Sequence, residues 1–199
     1  PIQMTTASRL SVRHCNHSIM HTAYITHPAC LKHDMGADHP ERPVRIHAIE
    51  DQLIASGLLN FLSHHEAPKA SKEQLTRVHT IEFIDWVFSQ SPHSGLIHLD
   101  GDTAMNPYSL NAALHAAGAA VKAVDLVMDG SVQNAFCSIR PPGHHAGRAS
   151  ASGFCIFNNI AVGAAHAIEH YGLQRVAIAD FDVHHGNGTE EIFHDDPRV

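Results

Sequence analysis

An apolar run, Val176-Ala177-Ile178-Ala179, passes directly into Asp180-Phe181-Asp182-Val183-His184-His185-Gly186-Asn187-Gly188. This junction limits the possible folds more than any other stretch. A short apolar run ending in polar residues and glycine reads as a buried strand entering a loop, here over 174–180. Side chains two apart on a strand share a side, so Asp180, Asp182 and His184 are expected to face one way at the strand's end. Burying two aspartates together gains nothing apolar, and their repulsion needs a cation to offset it. Carboxylate oxygen with imidazole nitrogen is a donor set for zinc or a similar divalent metal.

The 199 residues suffice for one domain with a sizeable core. A formal charge of -7 offers no electrostatic footprint for nucleic acid and disfavours an anionic membrane surface. No segment reads as a signal sequence or membrane span. The four cysteines, Cys15, Cys30, Cys137 and Cys155, lack paired spacing. Reduced thiols and a cytoplasmic location are therefore expected, with Cys137 and Cys155 as small buried hydrophobes. Met4 reads as the natural start, with Pro1-Ile2-Gln3 added ahead of it.

Residues 1–17 read as a polar N-terminal segment and 18–199 as a single folded unit. Strands are expected over 19–25, 61–66, 134–139 and 174–180. Helices are expected over 43–56, 71–78, 80–88, 109–128 and 158–170, the second opening on a capping box at Ser71 and Gln74. Long loops fill 27–43, 90–107 and 140–153. Strands alternating with helices imply parallel βαβ units, in which working groups gather at the carboxyl ends of strands.

The loop after the third strand carries Arg140-Pro141-Pro142-Gly143-His144-His145. Its two histidines either bond to nearby backbone or converge on a common centre, where imidazole can pass a proton near neutral pH. Asp182 and His184 are the candidate metal ligands. Asp180 is better placed to orient a histidine. Asn187 fits a similar orienting role or a helix cap. Phe154 reads as core or as one wall of a narrow apolar tunnel. Asp100 and Asp102 read as solvated turn residues or as acids on a binding rim.

These residues resemble the zinc-dependent histone deacetylase superfamily, nearest its class II and bacterial members. The resemblance rests on His-Pro-Glu-Arg-Pro at 39–43, Arg-Pro-Pro-Gly-His-His at 140–145, Gly-Phe-Cys at 153–155, Phe-Asn-Asn at 157–159 and the 180–188 segment. It implies an α/β, three-layer, arginase/deacetylase-like domain with a central parallel sheet, its C-terminal strands missing. It implies that acetyl or acyl groups are removed from lysine side chains. An acetylpolyamine or other small amide is the alternative substrate, and a non-catalytic metal- or acyl-lysine-binding fragment is a further alternative.

By the same resemblance His144 and His145 form the proton-transfer pair, Asp180 pairs with His144, and Asn187 stands beside His145. Asp182 and His184 hold zinc with one further aspartate. Asp180, Asp182 and His184 also match a potassium site, with Phe193 at a second. Gly153 and Phe154 contact substrate, and Arg42 matches an arginine of the inner channel. The third zinc ligand and an oxyanion-stabilising tyrosine are expected beyond Val199. The 199 residues alone would then have little or no activity, and self-association could cover the exposed sheet edge.

Overall fold

The computed structural model describes residues 21–199. The expectations for residues 1–17, Cys15 and the first part of the 19–25 strand fall wholly or partly outside that range. The fold is organised around β1 (Thr22–Thr26), which pairs in parallel with β2 (Leu62–Glu66) on one side and β5 (Asn134–Cys137) on the other. The registers place Thr22 opposite both Leu62 and Asn134. Ala23, Tyr24 and Ile25 are all buried, as befits a central parallel strand covered on both faces. The flanking β2 reads Leu-Ser-His-His-Glu and is partly exposed along its length, a composition suited to a sheet edge.

Parallel pairing requires crossovers. The first runs through α1 (Val44–Ala55) and is closed by Gly57 in the left-handed region. The second passes through α2 (Lys72–Leu75), α3 (Ile81–Ser89), a short antiparallel hairpin of β3 (Ile97–His98) and β4 (Ala104–Met105), and α4 (Ser109–Met128). The expected capping box is present: Ser71 Oγ accepts from the Gln74 N–H, and Gln74 Oε1 accepts from the Ser71 N–H. The hairpin was not expected; its two-residue strands are too short to show alternation.

The 20-residue α4 is long and apolar enough by composition to cross a membrane, yet half of it is buried inside the protein. Ala112, Ala113, Ala116, Ala117 and Ala119 form its buried face. These small residues permit close approach. A Cβ on Gly118 would collide with the Pro68 carbonyl oxygen, so only glycine fits there. One core cluster joins α3, α4 and α5 (Asn159–Tyr171) with α6 (Asn187–Phe193); a smaller one lies between α4 and the sheet.

The expected strand over 174–180 is corrected by the structure. Val176 and Ile178 are half-buried and alternate with exposed Ala177 and Ala179, so the period of two is real. No ladder joins this segment to β5, however. Its Val176 N–H instead donates to the Arg198 carbonyl at 2.7 Å. A strand exists only by pairing with a neighbour. Here a cavity of ≈ 420 Å³, lined by Ala135, Cys137, Ile139, Ile160 and Ile178 among others, separates the segment from β5.

Candidate active site

Two loops build the site. The first, 140–153, is tied down along its length. The Arg140 guanidinium makes a bidentate pair with the Glu41 carboxylate and donates to the carbonyls of Cys30 (2.8 Å) and His33 (2.9 Å). Both side chains of the pair are nearly fully buried. Farther along, Asn159 Nδ2 donates to the Pro141 carbonyl, and His79 Nδ1 lies 2.8 Å from the Gly147 carbonyl. Because His79 Nε2 accepts the Asn158 N–H, its Nδ1 carries the proton. Burial pushes the His79 pKa down to about 4.

The second loop, 180–188, brings its polar groups against the first. His144 Nδ1 meets Asp180 Oδ2 at 2.9 Å, and His145 Nδ1 meets Asn187 Oδ1 at 2.6 Å. The two imidazoles lie 4.1 Å apart between centroids. An oxygen acceptor at Nδ1 keeps that nitrogen protonated and leaves Nε2 as the basic atom. The bond from His144 is the main cause holding the Asp180 carboxyl below the usual carboxylate range. Asn187 begins α6 as a histidine's partner; the residue at the cap position is Gly186.

Gly153 lies flat on His145. Its φ is +54°, and a Cβ there would collide with the imidazole Cδ2. Phe154 follows at φ +70°, a left-handed conformation costing a non-glycine residue about 1–2 kcal/mol. Its N–H donates to Thr103 Oγ1 (2.9 Å), and its ring meets His39 edge-on at 4.5 Å. Phe154 is thus a wall residue.

A cleft of ≈ 540 Å³ is lined by His144, His145, Gly153, Phe154, Asp182 and His184. Glu41 and Arg140 also line it and, being buried, form its floor. Asp102 lines the cleft as well, whereas Asp100 is a turn residue whose carboxylate accepts from the N–H groups of Asp102 and Thr103. Arg42 is exposed and absent from the lining, where Arg45 stands instead. None of the three tyrosines lines the cleft: the hydroxyls of Tyr24 and Tyr171 bond to Glu50 and Asp125, and Tyr108 is exposed.

The donor chemistry suits a divalent metal in part. Asp182 Oδ1 lies 3.0 Å from His184 Nδ1 and accepts the His184 N–H at 2.8 Å. That backbone bond leads the causes holding the Asp182 carboxyl below its usual range. Both side chains are half or more exposed. Among the described residues no third histidine, cysteine or carboxylate joins them in a ligand set. Catalytic zinc takes three protein ligands, so these two side chains do not by themselves make up such a set. Of the residues expected around potassium, Phe193 shares a smaller cleft of ≈ 240 Å³ with Asp180, while Asp182 and His184 face the main one.

Reading the sequence missed Glu41, Asn158 and His79. Arg140 carried a signal: a guanidinium between an apolar strand and two prolines needs a buried acid, and Glu41 sits in the other proline-bounded turn. Cys155 is buried as expected, whereas Cys137 is only half-buried. Burial pushes Cys137 up to about 11 and Cys155 up to about 12, and both are unpaired.

A family model for the histone deacetylase domain matches residues 39–199. This chain belongs to the histone deacetylase family. Polyamine deacetylase HDAC10 of Homo sapiens is 40% identical over 189 residues, covering 90% of this chain and 28% of its own length. A probable deacetylase of Archaeoglobus fulgidus is 39% identical over 184 residues, covering 90% of this chain and 50% of its own. The crystal structure of the HDA15 HD domain superposes with a TM-score of 0.83 at 40% identity, covering 89% of this chain and 51% of that one. This chain therefore spans half or less of the length of both sequence relatives. The parallel sheet with its helices is the α/β arrangement of the deacetylase domain, and the loop 140–153 follows the carboxyl end of β5.

Proposed function

We propose that this chain carries the proton-transfer half of a zinc-dependent amidohydrolase site that removes acetyl or acyl groups from lysine side chains. The observation that carries this reading is the pairing of His144 with Asp180 and His145 with Asn187 at one cleft beside Asp182 and His184. A zinc ion held by Asp182, His184 and a third ligand from outside the described residues would supply Lewis acidity to the acyl carbonyl and the attacking water.

The chain's own groups do the rest. His145 Nε2 takes a proton from the water as it attacks, then returns it to the departing amine. Asn187 holds His145 in the required tautomer without adding charge. Asp180 holds the His144 ring through Nδ1, so that its Nε2 faces the oxyanion of the tetrahedral species. Phe154 walls the aliphatic part of the substrate, and Gly153 offers its carbonyl to the substrate amide N–H. The Arg140–Glu41 floor sets how much acyl chain fits.

The cleft carboxylate of Asp102 favours a second substrate class, since it suits a polyamine ammonium as well as a peptide N–H. The human relative is named a polyamine deacetylase. Zinc content after dialysis, followed by assays on an acetyl-lysine peptide and an acetylated polyamine, separates the readings. The domain at the length of its relatives should retain zinc and hydrolyse one substrate. The 199-residue chain alone should bind zinc weakly and turn over little or none. Zinc retention without hydrolysis of either substrate by the longer domain would favour the metal-binding, non-catalytic alternative. Potassium at the carbonyls near Asp180, Asp182, His184 and Phe193 belongs to the same proposal and is read by metal analysis in potassium-free buffer. The unpaired Cys30, Cys137 and Cys155 support the proposed reducing, cytoplasmic setting.

A further inference from the structure

Asn158 is fully buried, and its side chain joins three segments. Its Oδ1 accepts the Ala161 N–H and so caps α5. Its Nδ2 donates to the Ala146 carbonyl (3.0 Å) and to Thr189 Oγ1 (3.1 Å). Its backbone N–H is taken by His79 Nε2, whose other nitrogen binds the Gly147 carbonyl. Ala146 directly follows His145. Thr189 lies near the start of α6, the helix that begins with Asn187. One amide NH2 group therefore grips both the backbone that carries His145 and the helix that carries its partner.

The two segments leave no slack. The Thr189 N–H donates to the His144 carbonyl at 3.1 Å. A Cβ on Gly188 would collide with the Ala146 carbonyl oxygen. The backbone of α6 is thus pressed onto residues 144–146, and the amide fixes its position along them. A cap needs only the acceptor oxygen of Asn158. The two donated bonds are additional, and both point to the His145–Asn187 pair.

We infer that Asn158 is a positioning residue for His145: its two donated bonds set the His145–Asn187 contact and hence which ring nitrogen of His145 is free. This rests on the proposed role of His145 in proton transfer, but its test does not depend on activity. Asn158→Ser keeps a capping oxygen for Ala161 and removes the NH2 group that makes both donated bonds. Thr189→Val keeps the shape and removes the α6 arm alone; Thr189→Ser restores it. The ring ¹⁵N shifts of histidine-labelled protein at one fixed pH report the tautomer. The native chain should show His145 with Nδ1 protonated and Nε2 bare. Asn158→Ser and Thr189→Val should both move those two shifts toward the average of the tautomers, and Thr189→Ser should return them. If His145 keeps its native shifts in folded Asn158→Ser and in Thr189→Val, the inference is wrong. Native shifts that respond as expected, in a full-length domain that hydrolyses no acylated amine, would instead count against the proposed function.

Discussion

Two buried histidines give the fold a pH dependence with a defined sign. Burial lowers His33 to about 3 and His79 to about 4, both below the ordinary value of 6.5. A group depressed in the fold binds fewer protons there than in the unfolded chain. Stability from these two is complete above pH 6.5. It is lost as pH falls toward 4 for His79 and toward 3 for His33. Each tenfold loss of proton affinity on folding corresponds to about 1.4 kcal/mol, so His79 alone accounts for roughly 3 kcal/mol. Urea denaturation between pH 7 and pH 4.5 should show this fall, and His79→Gln should flatten it. Unchanged midpoints over that range would contradict the assignment. The floor pair behaves differently. Removing Glu41 alone strands the Arg140 charge in the interior and should cost about 3–5 kcal/mol. A joint change of Glu41 and Arg140 to apolar residues of similar volume should cost much less. Midpoints from denaturant titration of the single and double variants decide between these. Little of this pair was legible in the sequence, because Glu41 and Arg140 are 99 residues apart and nothing local links them. His144 and His145 were legible as a pair only beside the Asp180–His184 segment, since adjacent loop histidines by themselves serve equally to bond nearby backbone.

Most helices were read closely because amphipathic spacing and caps are local; α6 was not expected, and α2 is shorter than its expected range. The expected range for α4 coincides with the observed one, and α5 begins after its cap, Asn158. Strand 174–180 failed for a non-local reason: alternation shows which side chains face inward, while pairing depends on a neighbour. What also escaped notice is how closely α4 packs. Gly118 sits against the Pro68 carbonyl, and that neighbour is backbone and cannot swing aside. Gly118→Ala gains helix propensity, up to about 1 kcal/mol, but forces α4 away from the 67–70 segment. That segment is held by the Ala67 N–H to the Thr26 carbonyl and the Ala70 N–H to the Leu114 carbonyl. Overpacking of this kind costs about 1–3 kcal/mol, and the backbone contact puts this case at the upper end. The net change should be a lower melting temperature despite the better helix former. Calorimetry of Gly118→Ala tests it, and a rise would mean that the segment moves freely.

At the scale of the molecule, the site is a meeting of distant segments: the turn at 39–43, the hairpin loop at 100–103, and the loops 140–153 and 180–188. The first loop is braced by buried polar bonds on every side. The second is not. Phe181 is fully exposed and Val183 nearly so, while Phe136 and Ile160, around the β5 edge, are partly exposed. Asp182 lies between those first two apolar side chains and His184 follows them, so the proposed metal ligands ride on the least supported part of the fold. Two consequences follow from one cause. Exposed apolar surface beside an unpaired strand edge favours self-association, and loosely held ligands bind metal weakly because binding must first order them. The 199-residue chain should therefore sediment faster as its concentration rises from micromolar upward. Phe181→Ser with Val183→Ser should reduce that shift without altering zinc affinity in a full-length domain, since neither side chain is a donor. The same pair of changes should leave the His144–Asp180 contact intact, because neither altered side chain takes part in it. If the double variant associates as strongly as the native chain, association comes from elsewhere. The cavity beside β5 is then the next surface to alter, through Ile160.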